Sequence, residues 1–202
     1  GDGFHGQTTA NGERFNAYSL WDIYRSWLPL MTIISPKQVE LWGNDLIAHA
    51  EEGGLLPKWP LNGNYTGTMI GYPAVAFFAD ALSKGLLIDQ HDKILSASLK
   101  SAVWQPEFNK THKGTRAENV MPIHLLLKDS LGFVPADLVK ESVSYGLELS
   151  FYDWCISEIA KTKDSVVYAE FSEKSTYYKK YFDPKIKFMR GKKSNGSWEE
   201  NF

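Results

Sequence analysis

The sequence is nearly without cysteine. Its one thiol, Cys155, rules out an intrachain disulfide and any zinc site built from several thiolates. No apolar run is long enough to span a bilayer; Ala74–Ala79 is among the longest. Neither sign of charge is in marked excess. The net charge is −2, and Lys and Arg are spread along the chain, so the basic stripe of a nucleic-acid binder is absent. The lysines at 179, 180, 185, 187, 192 and 193 read as a solvated surface. No period-two alternation marks a strand, no fixed repeat marks a solenoid, and the five histidines show no H-E-x-x-H or similar metal spacing. There is no G-x-S-x-G elbow and no Walker loop. Gly1–Gly6 spells G-x-G-x-x-G, but no strand precedes it and no βα unit surrounds it, which removes the dinucleotide reading. The first residues carry no signal-peptide pattern. A start without Met and an end at Asn201-Phe202 lead to the expectation that the 202 residues are one partial domain of a longer protein.

What is present is helical periodicity and aromatic side chains, the latter 14% of the chain. Tyr18–Ile34 reads as one helix. Ser35-Pro36 starts another that Gly53-Gly54 ends, with Val39, Trp42, Leu46 and Ala50 on one stripe. Met69–Leu82 is apolar nearly all round and reads as a buried helix. Asp89–Trp104 is amphipathic, Gly114–Asn119 reads as loop, and Ile123–Leu131 is a short helix stopped by Gly132. A long helix is predicted over Leu138–Lys161 and a further one over Ser165–Tyr181. The segment 183–202, rich in Gly, Asn and Lys, is expected to be irregular. The fold class expected is all-α, built from paired helices.

Three segments mix polar and aromatic residues more densely than a core requires. Ser19-Leu20-Trp21-Asp22, leading to Arg25, puts a carboxylate beside an indole, a pairing that can accept hydrogen bonds from sugar hydroxyls while the ring packs on the sugar face. Residues 56–72 form a loop rich in Gly, Asn and Thr, where ligand contacts concentrate. Glu148 and Asp153 place carboxylates on an otherwise apolar helix, and buried carboxylates must pair or bind. From spacing alone, helix caps, turns and internal salt bridges are the more common explanation of each segment. Asn64-Tyr65-Thr66, Asn109-Lys110-Thr111 and Asn195-Gly196-Ser197 are glycosylation triplets.

Taken in order along the chain, these segments resemble glycoside hydrolase family 92. Ser19-Leu20-Trp21-Asp22-x-Tyr24-Arg25-x-Trp27-x-Pro29-Leu30 is similar to that family's S-L-W-D-T-F/Y-R-A-W-H-P-L. Glu51-Glu52-Gly53-Gly54-x-Leu56-Pro57-x-Trp59, Gly63-Asn64-x-Thr66, Met69-Ile70-Gly71-Tyr72 and Ala79-Asp80-Ala81-x-x-Lys84-Gly85 follow in register. So do Gly132-Phe133-Val134-Pro135, Leu147-Glu148, Asp153-Trp154-Cys155-Ile156 and Phe188-Met189-Arg190. The resemblance implies part of an (α/α)6 toroid that follows an N-terminal β-sandwich. It implies a calcium-dependent exo-α-mannosidase that hydrolyses terminal α-linked mannose from glycans with inversion. It also implies a secreted, periplasmic or cell-surface parent protein. Asp22 matches the family Asp that contacts hydroxyls of the terminal mannose, with Trp21 packed nearby. Trp59, Asn64, Tyr65, Glu148 and Asp153 are expected as lining or scaffold. The family's catalytic acid lies in a V-E-G-N segment and its base in a later D-E-D-N-G-like segment. Neither segment occurs here, so this piece is expected to lack both catalytic residues and the calcium ligands, and to be inactive by itself. Leu28, Pro60, Tyr65, Pro73 and Tyr152 replace polar residues of the family pattern, which leaves open a non-catalytic carbohydrate-binding relative.

Overall fold

A computed structural model describes residues 13–61, 64–111 and 117–200. The Gly1–Gly6 segment and residues 114–116 of the loop expected over 114–119 lie outside the described residues. The described chain is helical: α1 (Leu20–Ile23), α2 (Trp27–Ile34), α3 (Pro36–Gly53), α4 (Ala74–Ser83), α5 (His91–Ala102), α6 (Glu107–Thr111), α7 (His124–Leu131), α8 (Ser142–Ala160) and α9 (Ser165–Lys174). Three 3-10 turns (Ile88–Gln90, Ala117–Asn119, Ser175–Tyr181) and two small antiparallel hairpins complete it. The hairpins are β1 (Pro60–Leu61) with β2 (Asn64–Tyr65) and β3 (Phe182–Asp183) with β4 (Phe188–Met189).

Local chemistry sets the boundaries. α3 opens on Pro36, whose missing N–H falls among donors that have no helical partner anyway, and Gly54 closes it in the left-handed conformation with φ +85°. The single helix expected over Tyr18–Ile34 is instead split at residues 24–26. Pro29 cannot donate to the Arg25 carbonyl four residues back, and its ring would clash there. A new helix therefore starts at Trp27, with Pro29 in its first turn. The helix expected from Met69 begins only at Ala74, because Met69 (φ +74°) and Gly71 (φ +59°) are left-handed and Pro73 follows them. At Gly71 the requirement is also steric: a Cβ would lie 2.6 Å from the Tyr152 ring.

α8 is the central post. It packs against α9, the 175–181 turn, α4 and α5, and Leu149, Tyr152, Ile156 and Ile159 on it join one continuous core with Val75, Phe77 and Phe78 of α4, Ile94 of α5 and Val39 and Leu46 of α3. Burying a Leu, Ile or Phe side chain is worth roughly 1.5–3 kcal/mol each. The segment from 183, expected to be irregular, carries the β3–β4 hairpin. Its buried Asp183 accepts from Arg190 at 3.0 Å. Among the described residues no helix is long and apolar enough to cross a membrane.

Candidate functional site

The order of elements brings α1, the loop between α3 and α4, and the N-terminal half of α8 to one end of the bundle. Ala17 N–H donates to the Pro60 carbonyl at 3.1 Å, tying the segment that enters α1 to the loop carrying Trp59 and Tyr65. α8 is joined to α1 by a charged and aromatic clamp. Arg25 donates from Nη2 to Glu148 Oε1 at 2.7 Å, and the Tyr24 hydroxyl donates to Glu148 Oε2 at 3.0 Å. The Arg25 guanidinium lies 5.0 Å from the Trp21 ring centroid and 4.9 Å from that of Tyr24, a geometry in which the cation is attracted to the negative ring faces. Its Nε also donates to the Trp21 carbonyl at 3.1 Å.

Asp22 sits on α1 within this frame and is exposed. Among the described residues Ser19 is the one group hydrogen-bonded to its side chain, donating from Oγ to Oδ2. An exposed carboxylate on a short, clamped helix can accept hydrogen bonds from a polyol. Glu148 differs: both its oxygens already accept, from Tyr24 and Arg25, and its side chain is mostly buried. It holds the frame. The Glu148 hydrogen bond raises the Arg25 pKa further, and burial, reinforced by Glu148, raises that of Tyr24, so both stay protonated. Beyond Tyr24 the wall continues in aromatics: Phe151 stacks on Tyr24 with centroids 5.4 Å apart, and Trp154 stacks on Phe151 at 6.0 Å. A cavity of about 270 Å³ lies beside them, lined by Tyr24, Pro29, Asp80, Phe151, Trp154 and Glu158.

The remaining sequence candidates are spread differently. Trp59 is half-buried, and its carbonyl accepts from Thr66 Oγ1 at 2.7 Å. Tyr65 is buried in the core. Asn64 pairs with Leu61 in the β1–β2 hairpin; its side chain lies outside the described residues. Asp153 is fully buried and faces inward. It accepts from Lys128 Nζ at 2.8 and 3.0 Å and from the Tyr72 hydroxyl at 2.5 Å, so it is spoken for by scaffold contacts. Burial pushes its carboxyl up against the pull of the Lys128 ammonium. Trp21, Asp22 and Glu148 are thus drawn into one cluster, while Asp153 is separated from it by the core. Arg25 and Tyr24 belong to the cluster as fully as Glu148. The sequence signal for them was the i, i+3/i+4 spacing after Trp21 and Asp22, which places them on the next turn.

The five positions at which the resemblance expects polar residues, Leu28, Pro60, Tyr65, Pro73 and Tyr152, are all buried. Tyr152 fills the space over Gly71 and packs 5.4 Å from the Tyr72 ring and 6.0 Å from that of Tyr24. Among the described residues no group of three or more His, Cys, Asp or Glu side chains converges on one point.

The model of the glycosyl hydrolase family 92 catalytic domain matches residues 2–202. The structure is similar to a family 92 inverting mannosidase from Bacteroides thetaiotaomicron, at a TM-score of 0.82 and 26% identity, covering 95% of this chain and 25% of that one. It is similar to a family 92 α-mannosidase from the same organism solved with mannoimidazole, at a TM-score of 0.82 and 28% identity, covering 97% of this chain and 24% of that one. The same α-mannosidase solved without that ligand matches at the same TM-score and identity. No curated protein matches. The chain spans about a quarter of the length of the solved chains it matches. The all-α class holds, and the paired helices overlay on part of these structures, in keeping with an (α/α)6 catalytic domain. The chain belongs to the glycosyl hydrolase family 92 catalytic domain.

Proposed function

We propose that this chain supplies part of the sugar-binding wall of an α-mannosidase that removes terminal α-linked mannose from glycans with inversion. Asp22 accepts hydrogen bonds from hydroxyls of the terminal mannose, Trp21 and Arg25 back it, and Glu148 fixes Arg25 and Tyr24 so that α1 keeps its place. The exposure of Asp22 on a helix clamped to α8 by Glu148 carries this reading. An inverting hydrolysis needs an acid on the leaving oxygen and a separate base to activate water. No V-E-G-N-like or D-E-D-N-G-like segment occurs in this sequence, so both roles fall to residues elsewhere in the protein. The remainder of the toroid would cover the apolar faces that α2 and α8 leave exposed, among them Leu30, Ile33, Ile34 and Trp154.

In the complete protein, Asp22→Ala is expected to lower kcat/KM by about 30- to 1000-fold, the loss of two good hydrogen bonds in the transition state, with the thermal midpoint unchanged. A variant within about threefold of wild type overturns the assignment. The buried replacements of polar family residues favour a second reading, a relative that binds mannosides without hydrolysing them. Mannose affinity in the complete protein without turnover would establish it.

A further inference from the structure

The Asn-x-Ser/Thr triplets at Asn64, Asn109 and Asn195 each offer an amide nitrogen to which an oligosaccharide can be joined, and none has Pro in the middle. The side chain of Asn64 lies outside the described residues. The other two are treated in opposite ways by the fold. Asn109, on α6, is half-buried and spends both ends of its amide on the backbone of Met121. Its Oδ1 accepts from the Met121 N–H and its Nδ2 donates to the Met121 carbonyl, each at 2.8 Å. Met121 belongs to the buried core. A sugar on Asn109 Nδ2 would take one of that nitrogen's two hydrogens and bring a bulky ring beside this backbone, where a carbonyl left without its donor is costly.

Asn195 sits at the tip of a turn. Lys192 and Trp198 form an antiparallel bridge at its base. Inside it Lys193 N–H donates to the Ser197 carbonyl at 2.7 Å, and Gly196 N–H donates to the Lys193 carbonyl at 2.8 Å. Ser194 fastens the turn to the body of the protein, donating from its N–H and its hydroxyl to the two oxygens of Asp137 at 2.7 Å each. Residues 194–197 are all exposed. Gly196 takes φ +85°, and a Cβ there would meet nothing within 4 Å, so the tip faces open space. The Asn195 amide gives only its oxygen to this turn. Oδ1 accepts from the Ser197 N–H at 3.0 Å and from the Ser197 hydroxyl at 2.8 Å, and among the described residues no group is hydrogen-bonded to Nδ2. A backbone N–H can only donate, which fixes the amide atom that faces it. The amide and the hydroxyl of the triplet are thus held together, and the nitrogen has no task in the fold.

We propose that Asn195 is an N-glycosylation site of this protein and that Asn109 is not. The donor is a lipid-linked oligosaccharide pyrophosphate. The bond from C1 of its first sugar to the phosphate oxygen breaks, a C1–Nδ2 bond forms, Nδ2 gives up one proton and the lipid pyrophosphate leaves. Oδ1 is untouched, so both Ser197 contacts survive in the product. The reaction needs only passage through a secretory route that holds such a donor, and it does not depend on the mannosidase reading. The test is mass spectrometry of intact glycopeptides from the complete protein, secreted by a eukaryotic host. The peptide holding Asn195 is expected to carry, on most copies, an oligosaccharide that peptide N-glycosidase removes; the peptide holding Asn109 should carry none. Ser197→Thr keeps the hydroxyl and should keep the glycan, whereas Ser197→Ala should lose it. An Asn195 peptide that is bare, or changed only by deamidation before Gly196, overturns the proposal. So does a glycan that persists at Asn195 in Ser197→Ala, or one found on Asn109 in the folded protein. If the alanine variant is not secreted, the wild-type peptides alone decide.

Discussion

At the scale of single residues, the two carboxylates of α8 show how one sequence feature divides into two roles. Glu148 and Asp153 are both acids on an apolar helix, and the sequence says only that each must pair or bind. The fold turns Glu148 to the rim, where Arg25 and Tyr24 take it, and Asp153 inward to Lys128 and Tyr72. The missing information was the partner. Lys128 lies 25 residues away on another helix, and no local pattern joins the two. The consequence can be measured. Asp153→Ala removes the two short contacts to the buried Lys128 ammonium and leaves it the more distant Asp129 carboxylate at 3.7 Å, and breaking a buried pair in this way costs about 3–5 kcal/mol. Replacing both at once, Asp153→Leu with Lys128→Met, restores most of that stability, since well-packed apolar groups of similar volume often match a buried ion pair. Denaturant titration of the three proteins checks both statements. If the single variant costs no more than the double, the buried pair is not what Asp153 contributes.

At the scale of elements, most helices were legible because periodicity and end signals agreed. Gly54 and Gly132 close α3 and α7 in the left-handed conformation their positions demand. The boundaries differ where apolar periodicity runs across an internal break signal, Gly71 and Pro73 in one segment and Pro29 in the other. Met69–Pro73 is as hydrophobic as a helix, but left-handed backbone at Met69 and Gly71 precludes one. Tyr18–Ile34 has helical spacing throughout, yet Pro29 breaks it. The candidate site depends on that break, because the redirected chain places Tyr24 and Arg25 against α8. Asp22 was legible for a different reason, its place in a motif. Two element-level outcomes follow from the packing around α8 and α9. Asp164 caps α9, accepting from the N–H groups of Val166 and Val167 at 2.9 and 3.0 Å. Asp164→Ala should therefore cost about 1 kcal/mol, read from the denaturation midpoint at constant slope. Gly146 is where α8 touches Tyr181: a Cβ there would lie 2.0 Å from the tyrosine hydroxyl, which accepts from Val134 N–H at 2.6 Å. Gly146→Ala should displace that fully buried ring and cost about 1–3 kcal/mol through overpacking, despite alanine's better helix propensity. A variant as stable as wild type would show that Tyr181 can move without loss.

At the scale of the whole molecule, stability depends on pH through every group whose proton affinity changes on folding, and here the buried bases and phenols act in opposite directions. Lys58 is buried, donates to the Asn119 carbonyl at 2.7 Å and has no carboxylate partner among the described residues. Burial holds its pKa down to about 7 against an ordinary 10.5. Between those values the unfolded chain binds a proton that the folded chain does not, so stability rises with pH across the window and the contribution is lost as pH falls through it. The tyrosines have the reverse sign. Burial raises Tyr65 and Tyr72 well above the ordinary value of 10 and Tyr181 to about 12. Above pH about 10 the unfolded phenols ionise while the folded ones stay protonated, and stability falls. The sum is a maximum on the alkaline side of neutral, between the range in which Lys58 loses its proton and that in which the unfolded tyrosines lose theirs. Denaturant midpoints measured from pH 6 to 11, a range of our choosing about these values, test it. Lys58→Met should flatten the rise above pH about 7 and leave the alkaline fall in place, because only the lysine's proton has been removed. The unpaired Asn119 carbonyl lowers that variant's stability at every pH by the same amount, so the slope, not the height, is the readout. If wild type and variant run parallel from pH 7 to 10, Lys58 keeps its proton in the folded chain and the burial argument fails at that residue.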